Sequence, residues 1–166
     1  MASGDLLNQL AELLPAAIAW AEREAANGAK VGRRLTQAEA GLARRVGVAH
    51  PEQVRVALVE ALPMPDTPAL CAAADQVGMF GPEMAGLTLG HTVFMRRGDE
   101  SVRLLSHELR HVHQYEQGGS IADFLPGYLL QVVQHGYASA PYEQDASAHE
   151  TNAVEDLREG LQWMLT

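Results

Sequence analysis

A chain of 166 residues with 47% hydrophobic and 20% charged residues has the length and composition of one globular unit, which excludes a fibrous repeat and a disordered tract. Its 21 Asp and Glu outnumber 12 Lys and Arg, and a net charge of -9 repels a phosphate backbone or an anionic lipid surface, so nucleic acid is not an expected partner. The single cysteine, Cys71, excludes an intramolecular disulfide and a thiolate-based metal site, and reads as a small buried hydrophobe.

The N-terminal Met-Ala-Ser-Gly-Asp places no basic segment ahead of the apolar residues, so no secretory leader is recognised and a cytoplasmic location is expected. Leu6, Leu7, Leu10, Leu13, Leu14, Ala17, Ile18 and Ala21 recur at three- and four-residue steps. They predict a long amphipathic helix with a kink position at Pro15 and a stop near Gly28. A second helix is predicted from Thr36 to about Val46, with Thr36 as cap and Glu39 completing a capping box, before His50-Pro51 breaks the pattern.

Val54, Val56 and Leu58 alternate with Arg55, Ala57 and Val59, predicting a strand over 53–61 ahead of the turn-rich Pro63-Met64-Pro65-Asp66. A short helix is expected from Ala69 to Val77. Between Ala85 and Met95, the residues Leu87, Leu89, His91, Val93 and Met95 fall on one face and Thr88, Thr92 and Phe94 on the other, reading as one strand with His91 on its face. Ser101 to Gln117 reads as a helix capped by Asp99 or Ser101 and stopped at Gly118-Gly119.

Phe124 to Tyr142 carries no Asp, Glu, Lys or Arg, but Pro126, Gly127, Gln131, Gln134, His135 and Gly136 make it a buried helix over Phe124–Gln134 and a loop, not a membrane span. Pro141 or Tyr142 then starts a final helix that runs toward Leu165. The expected fold is a single α+β domain, mostly helical. It has a helical N-terminal part over about 1–50, a metal-site part over about 85–166, and a small antiparallel sheet formed by 53–61 and 85–95.

The chemistry lies at His107-Glu-Leu-Arg-His111. Four residues on a helix advance about 400°, so the two imidazoles lie within about 40° of each other and can reach one ion. Glu108, about 100° round from His107, sits where its carboxylate reaches a water on that ion without being a ligand. By composition about 0.02 such matches are expected in a chain like this, so chance is a poor explanation. Glu108 and His111 also form a Glu-x-x-His pair of the di-iron kind, but the chain has no second pair.

Two histidines leave a tetrahedral ion short of a protein ligand. A metzincin would continue with Gly at 114 and His at 117, and this chain has Gln114 and Gln117. The start of the last helix, Tyr142-Glu143-Gln144-Asp145, offers Glu143 as the preferred third ligand, with Asp145, His149 and Glu150 as competitors. Tyr137, Tyr142 and His135 just before Glu143 are candidates to stabilise an oxyanion. His113, about 240° from His107, points away; Gln114 and Tyr115 either line the site or pack.

Leu-Thr-Leu-Gly-His-Thr-Val-Phe from Leu87, Leu-Leu-Ser-His-Glu-Leu-Arg-His-Val-His-Gln-Tyr-Glu, Phe-Leu-Pro-Gly-Tyr-Leu-Leu and Pro-Tyr-Glu-Gln-Asp-Ala together resemble small bacterial gluzincin-type metallopeptidase-like domains. The resemblance runs from Leu87 to about Ala153, and residues 1–80 lie outside it. It implies a zincin-like fold in which His107, His111 and Glu143 hold a zinc ion and Glu108 is the base. The longer gluzincin pattern has an Asp four residues after the glutamate ligand, whereas this chain has Ser147, which leaves Asp145 to brace a histidine. The expected function is zinc-dependent hydrolysis of a peptide or protein substrate, with a zinc-stabilised interaction domain as the alternative.

Overall fold

The structure is a computed structural model that describes residues 2–152. Helix α1 spans Ala2–Val31 and contains Pro15. It passes through Gly28 instead of stopping there, because a Cβ at Gly28 would lie 2.4 Å from the Phe94 ring and 2.7 Å from the Thr92 methyl. The glycine serves close approach of helix to sheet, not termination. Thr92 Oγ1 donates to the Ala25 carbonyl at 2.9 Å across the same contact.

Strand β1, Arg33–Arg34, pairs antiparallel with β2, Arg55–Val59. Two arginines carry no apolar alternation, so β1 leaves no signal in the sequence. Between them, α2 spans Gln37–Arg45 and opens with the expected box, Thr36 accepting from the Glu39 amide and Glu39 from the Thr36 amide. Helix α3, Pro68–Gln76, is capped by Thr67, whose hydroxyl accepts from Leu70 N–H at 3.2 Å.

The expected single strand over 85–95 is two strands, β3 at Gly86–Leu89 and β4 at Thr92–Arg96, joined by a turn at Gly90-His91. Gly90 supplies the φ of +64° that such a tight turn favours. Because Leu87 pairs with Phe94 and Leu89 with Thr92, the turn exchanges odd and even positions between the faces. Val93 and Met95 therefore face away from Leu87 and Leu89, and His91 lies in the turn, bonded through Nε2 to Glu116 at 3.0 Å.

The sheet order is β1-β2-β4-β3, with β2 parallel to β4. This corrects the antiparallel pairing expected for these segments: the hairpin puts β3 on the outside, so β4 is the strand that returns beside β2 in the same direction. The sheet is mixed, and the α+β, mostly helical class holds.

Helix α4 spans Val102–Gly118, with Ser101 as the cap at 3.0 Å from Leu104 N, while Asp99 pairs with Arg96 instead. Helix α5 spans Ile121–His135, starting earlier than expected because Ser120 and Asp123 form a capping box. Helix α6 spans Pro141–Ala148 and ends there, short of the run toward Leu165, most of which lies outside the described residues. No helix among the described residues is long and apolar enough to cross a membrane.

One sheet face packs Val56, Val93 and Met95 against Leu42 of α2 and Leu105, Leu109 and Val112 of α4. The other packs Leu87, Leu89 and Phe94 against Trp20 and Ala21 of α1 and Leu125 of α5. Helices thus cover both faces, each sealing its apolar stripe against the sheet. Helix α4 lies with its buried stripe on the sheet and its His107 and His111 flank turned to α5 and α6.

Candidate metal centre

Leu105, Leu109 and Val112 lock α4 into the core and thereby fix the azimuth of the two histidines beside them. His111 is buried and His107 half-buried. Glu143 enters from the first turn of α6, where the helix dipole favours a carboxylate. Pro141 at the first turn and Ala146, fully buried against its neighbours, set that helix down beside α4.

His107 Nε2 lies 3.1 Å from Glu143 Oε2, His111 Nε2 lies 3.1 Å from Glu143 Oε1, and the two Nε2 atoms are 3.2 Å apart. Among the described residues these three side chains form the group able to hold a metal ion. Ligands about 2.0–2.1 Å from a tetrahedral ion stand about 3.3 Å from one another, so the observed spacing fits such an ion with shifts of only about 0.2 Å.

The far side of each imidazole is anchored. His107 Nδ1 donates to Glu150 Oε1 at 2.9 Å, and Glu150 is held in turn by Arg103. His111 Nδ1 donates to Gln114 Oε1 at 2.8 Å. The orientation of that amide is forced, because Gln114 Nε2 meets two acceptors, the Tyr142 carbonyl at 3.0 Å and Asp145 Oδ2 at 2.8 Å. With Nδ1 of each ring held from outside, Nε2 is the nitrogen that each imidazole turns toward the centre and would give to a metal once its proton has left.

Tyr128 donates its hydroxyl to Glu143 Oε1 at 2.6 Å, steadying the carboxylate from α5. Burial opposes charge on His107, but the hydrogen bond that it donates to Glu143 and the charges of Glu108 and Glu143 raise its pKa to about 9. Burial likewise pushes the Glu143 carboxyl up, and bonds from His107 and His111 outweigh it and hold the carboxylate ionised well below its usual range. The centre thus favours a cation between its donors.

Glu108 is buried on the neighbouring flank and turns toward β3, where Thr88 Oγ1 donates to its Oε2 at 2.7 Å. Gly86 makes the room: a Cβ there would meet Glu108 Oε1 at 2.4 Å. Burial lifts the Glu108 carboxyl above the ordinary range, against the pull of His111 and His107. A cavity of about 120 Å³ between α1, α3, α5 and β3 counts Glu108, His111 and Glu143 among its lining residues.

The structure brings together His107, His111, Glu143 and Glu108. Tyr137 lines the same cavity, and burial raises its pKa. Tyr142 is not aimed at the centre: its ring packs on Phe124 and Tyr128 and its carbonyl serves Gln114. His135 is exposed at the end of α5 and takes no part. Asp145 braces His111 indirectly, through Gln114, with Arg110 Nε at 2.8 Å on its other side.

His113 points away, its Nδ1 on the Gly47 carbonyl at 2.8 Å, and His149 bonds the Asp145 carbonyl at 2.8 Å. Glu150, expected only as a competing ligand, instead braces His107, and Tyr128 was not singled out by the sequence. The signal for Tyr128 is a hydroxyl amid an apolar helix. Glu150 lies beyond the last helical turn, where periodicity gives no direction. Comparison with protein-family models finds no match, and no curated protein and no solved structure matches the chain.

Proposed function

We propose that this protein is a zinc-dependent peptidase. The observation that carries the reading is the separation of roles on one helix: His107 and His111 converge with Glu143, while Glu108, one residue along, is held apart by Thr88 in the lining of a cavity. Two imidazoles and a carboxylate are a donor set that favours zinc, and three protein ligands leave a fourth position open, as in catalytic sites. When bound, zinc supplies a Lewis acid for a carbonyl and makes water nucleophilic near neutral pH.

The chain's own groups do the rest. Glu108, with a carboxyl raised by burial, accepts the proton of the attacking water and returns it to the leaving amine. Thr88 holds its carboxylate in one orientation. Tyr137 faces the same space with a hydroxyl that burial keeps protonated, able to donate to a developing oxyanion, while the Tyr128 hydroxyl is already given to Glu143.

Strand β3 is an edge strand. Arg96 N bonds Ala85 O at 2.8 Å, and by alternation the main-chain groups of Gly86 and Thr88 point away from β4. Gly86 and Thr88 line the cavity beside Glu108, and β3 itself is buried along its length.

Glu108→Gln tests the reading. It keeps size and the three ligands, so zinc content should remain near one per chain while cleavage of a peptide library falls by about 10² to 10⁴. A wild type that holds zinc and cleaves no peptide would remove the peptidase reading. Loss of zinc in Glu108→Gln would make Glu108 a ligand.

A further inference from the structure

The cavity that borders the metal centre has walls from a part of the chain that the resemblance does not reach. Leu10 and Leu13 of α1, Leu70 and Ala73 of α3, and Val132 of α5 are among the lining residues. We infer that this shaft is the specificity pocket of the centre, taking one large uncharged side chain of leucine or phenylalanine size from the residue beside the scissile bond. The inference rests on the peptidase reading for the words scissile bond, and on the cavity alone for the side chain.

Continuity is the first argument. Glu108, His111 and Glu143 line the same cavity as the apolar walls, so a group held between those walls lies in the space that borders the centre. Charge is the second. No Lys or Arg and no carboxylate except Glu108 and Glu143 lines the cavity among the described residues, and both of those are engaged, with Thr88 and with the two histidines. A charged side chain in the shaft would lie desolvated without a partner.

Size is the third argument. A cavity of about 120 Å³ compares with the roughly 150 Å³ engineered apolar cavity that accommodates benzene, so it suits one ring or one branched alkyl group and is too small for a long acyl chain. Residues 1–80 thereby acquire a role: α1 and α3 carry selectivity, while α4 and α6 carry the metal donors.

The test is calorimetric titration of the zinc-loaded full chain with the hydroxamates of leucine, alanine, lysine and octanoic acid, which need no turnover. Leucine hydroxamate should bind about 50-fold tighter than alanine hydroxamate, the effect of burying three more carbons, and lysine hydroxamate no better than alanine. Ala73, in the α3 wall, gives the filling variant: Ala73→Phe should remove the leucine advantage with zinc content unchanged. Should that variant fail to fold, Leu13→Ala enlarges the shaft and should move the preference from leucine toward tryptophan hydroxamate.

Equal affinities across the series, tighter binding of the octanoic derivative, or undiminished selectivity in folded Ala73→Phe would overturn the inference. So would an unchanged preference in Leu13→Ala. Leucine-selective binding by a protein that cleaves no peptide would leave the pocket standing and remove the peptidase reading. Cleavage indifferent to apolar residues would do the reverse.

Discussion

Gly86→Ala places one methyl group against Glu108 and touches no metal donor. The added Cβ would lie 2.4 Å from Oε1, 2.7 Å from Cδ and 2.9 Å from Cγ of Glu108, against about 3.5–4.0 Å for a comfortable contact. Gly86 is not among the glycines with positive φ, so alanine adds no backbone strain and the contact acts alone. Glu108 is buried and cannot swing into water, so it must retreat by about 1 Å and stretch the 2.7 Å bond from Thr88.

Overpacking of this kind costs about 1–3 kcal/mol, which for a chain of this length lowers Tm by about 3 to 10 °C. A 1 Å displacement of the base should reduce kcat/KM by about 10². Zinc stoichiometry should not change, because His107, His111 and Glu143 lie on α4 and α6. Calorimetry, metal analysis and cleavage of a quenched peptide read the three effects separately. Gly41→Ala is the control: its Cβ meets nothing within 4 Å, and alanine inside α2 should stabilise by up to about 1 kcal/mol. Wild-type Tm and kcat/KM in Gly86→Ala would refute the placement of Glu108.

The bracing of the imidazoles predicts that Glu150→Ala and Gln114→Ala each weaken zinc binding by about 10- to 100-fold in competition with a chelator, with the ligands intact; unchanged affinity in both would remove the bracing role. The raised pKa of His107, about 9 against an ordinary 6.5, means that a metal ion displaces a proton there at neutral pH, so affinity should rise with pH up to about 9 and level off above it. Calorimetry in buffers of different ionisation enthalpy should show that proton released at pH 7, and no release would contradict it. For the metal-free chain the same shift contributes stability that is full below pH 6.5 and lost as pH rises through about 9.

The helices were legible where a cap and a stripe coincide. Thr36 with Glu39 and Ser101 with Leu104 mark their starts by local chemistry that tertiary context does not alter. The hairpin was not, because a two-residue turn keeps apolar residues at alternate positions while exchanging faces, so Leu87 to Met95 imitates one strand. Gly28 misled for a related reason: the sequence cannot distinguish a glycine that ends a helix from one that admits Phe94.

At the centre, His107, Glu108 and His111 share one helix, and helical periodicity alone sets their relation. Glu143 comes from another helix and was reached only as one of four candidates. Tyr128, Gln114 and Glu150 act through contacts that exist only once α4, α5 and α6 have packed.

The proposed function requires a single zinc ion among His107, His111 and Glu143. Diffraction data collected just above and just below the zinc absorption edge, on crystals of the purified chain, test it most directly. The account predicts one anomalous peak, strong above the edge and weak below, about 2.0–2.1 Å from both Nε2 atoms and from a Glu143 oxygen, with Glu108 outside bonding distance. A map without that peak, or one in which Glu108 replaces Glu143 as the carboxylate ligand, would contradict it.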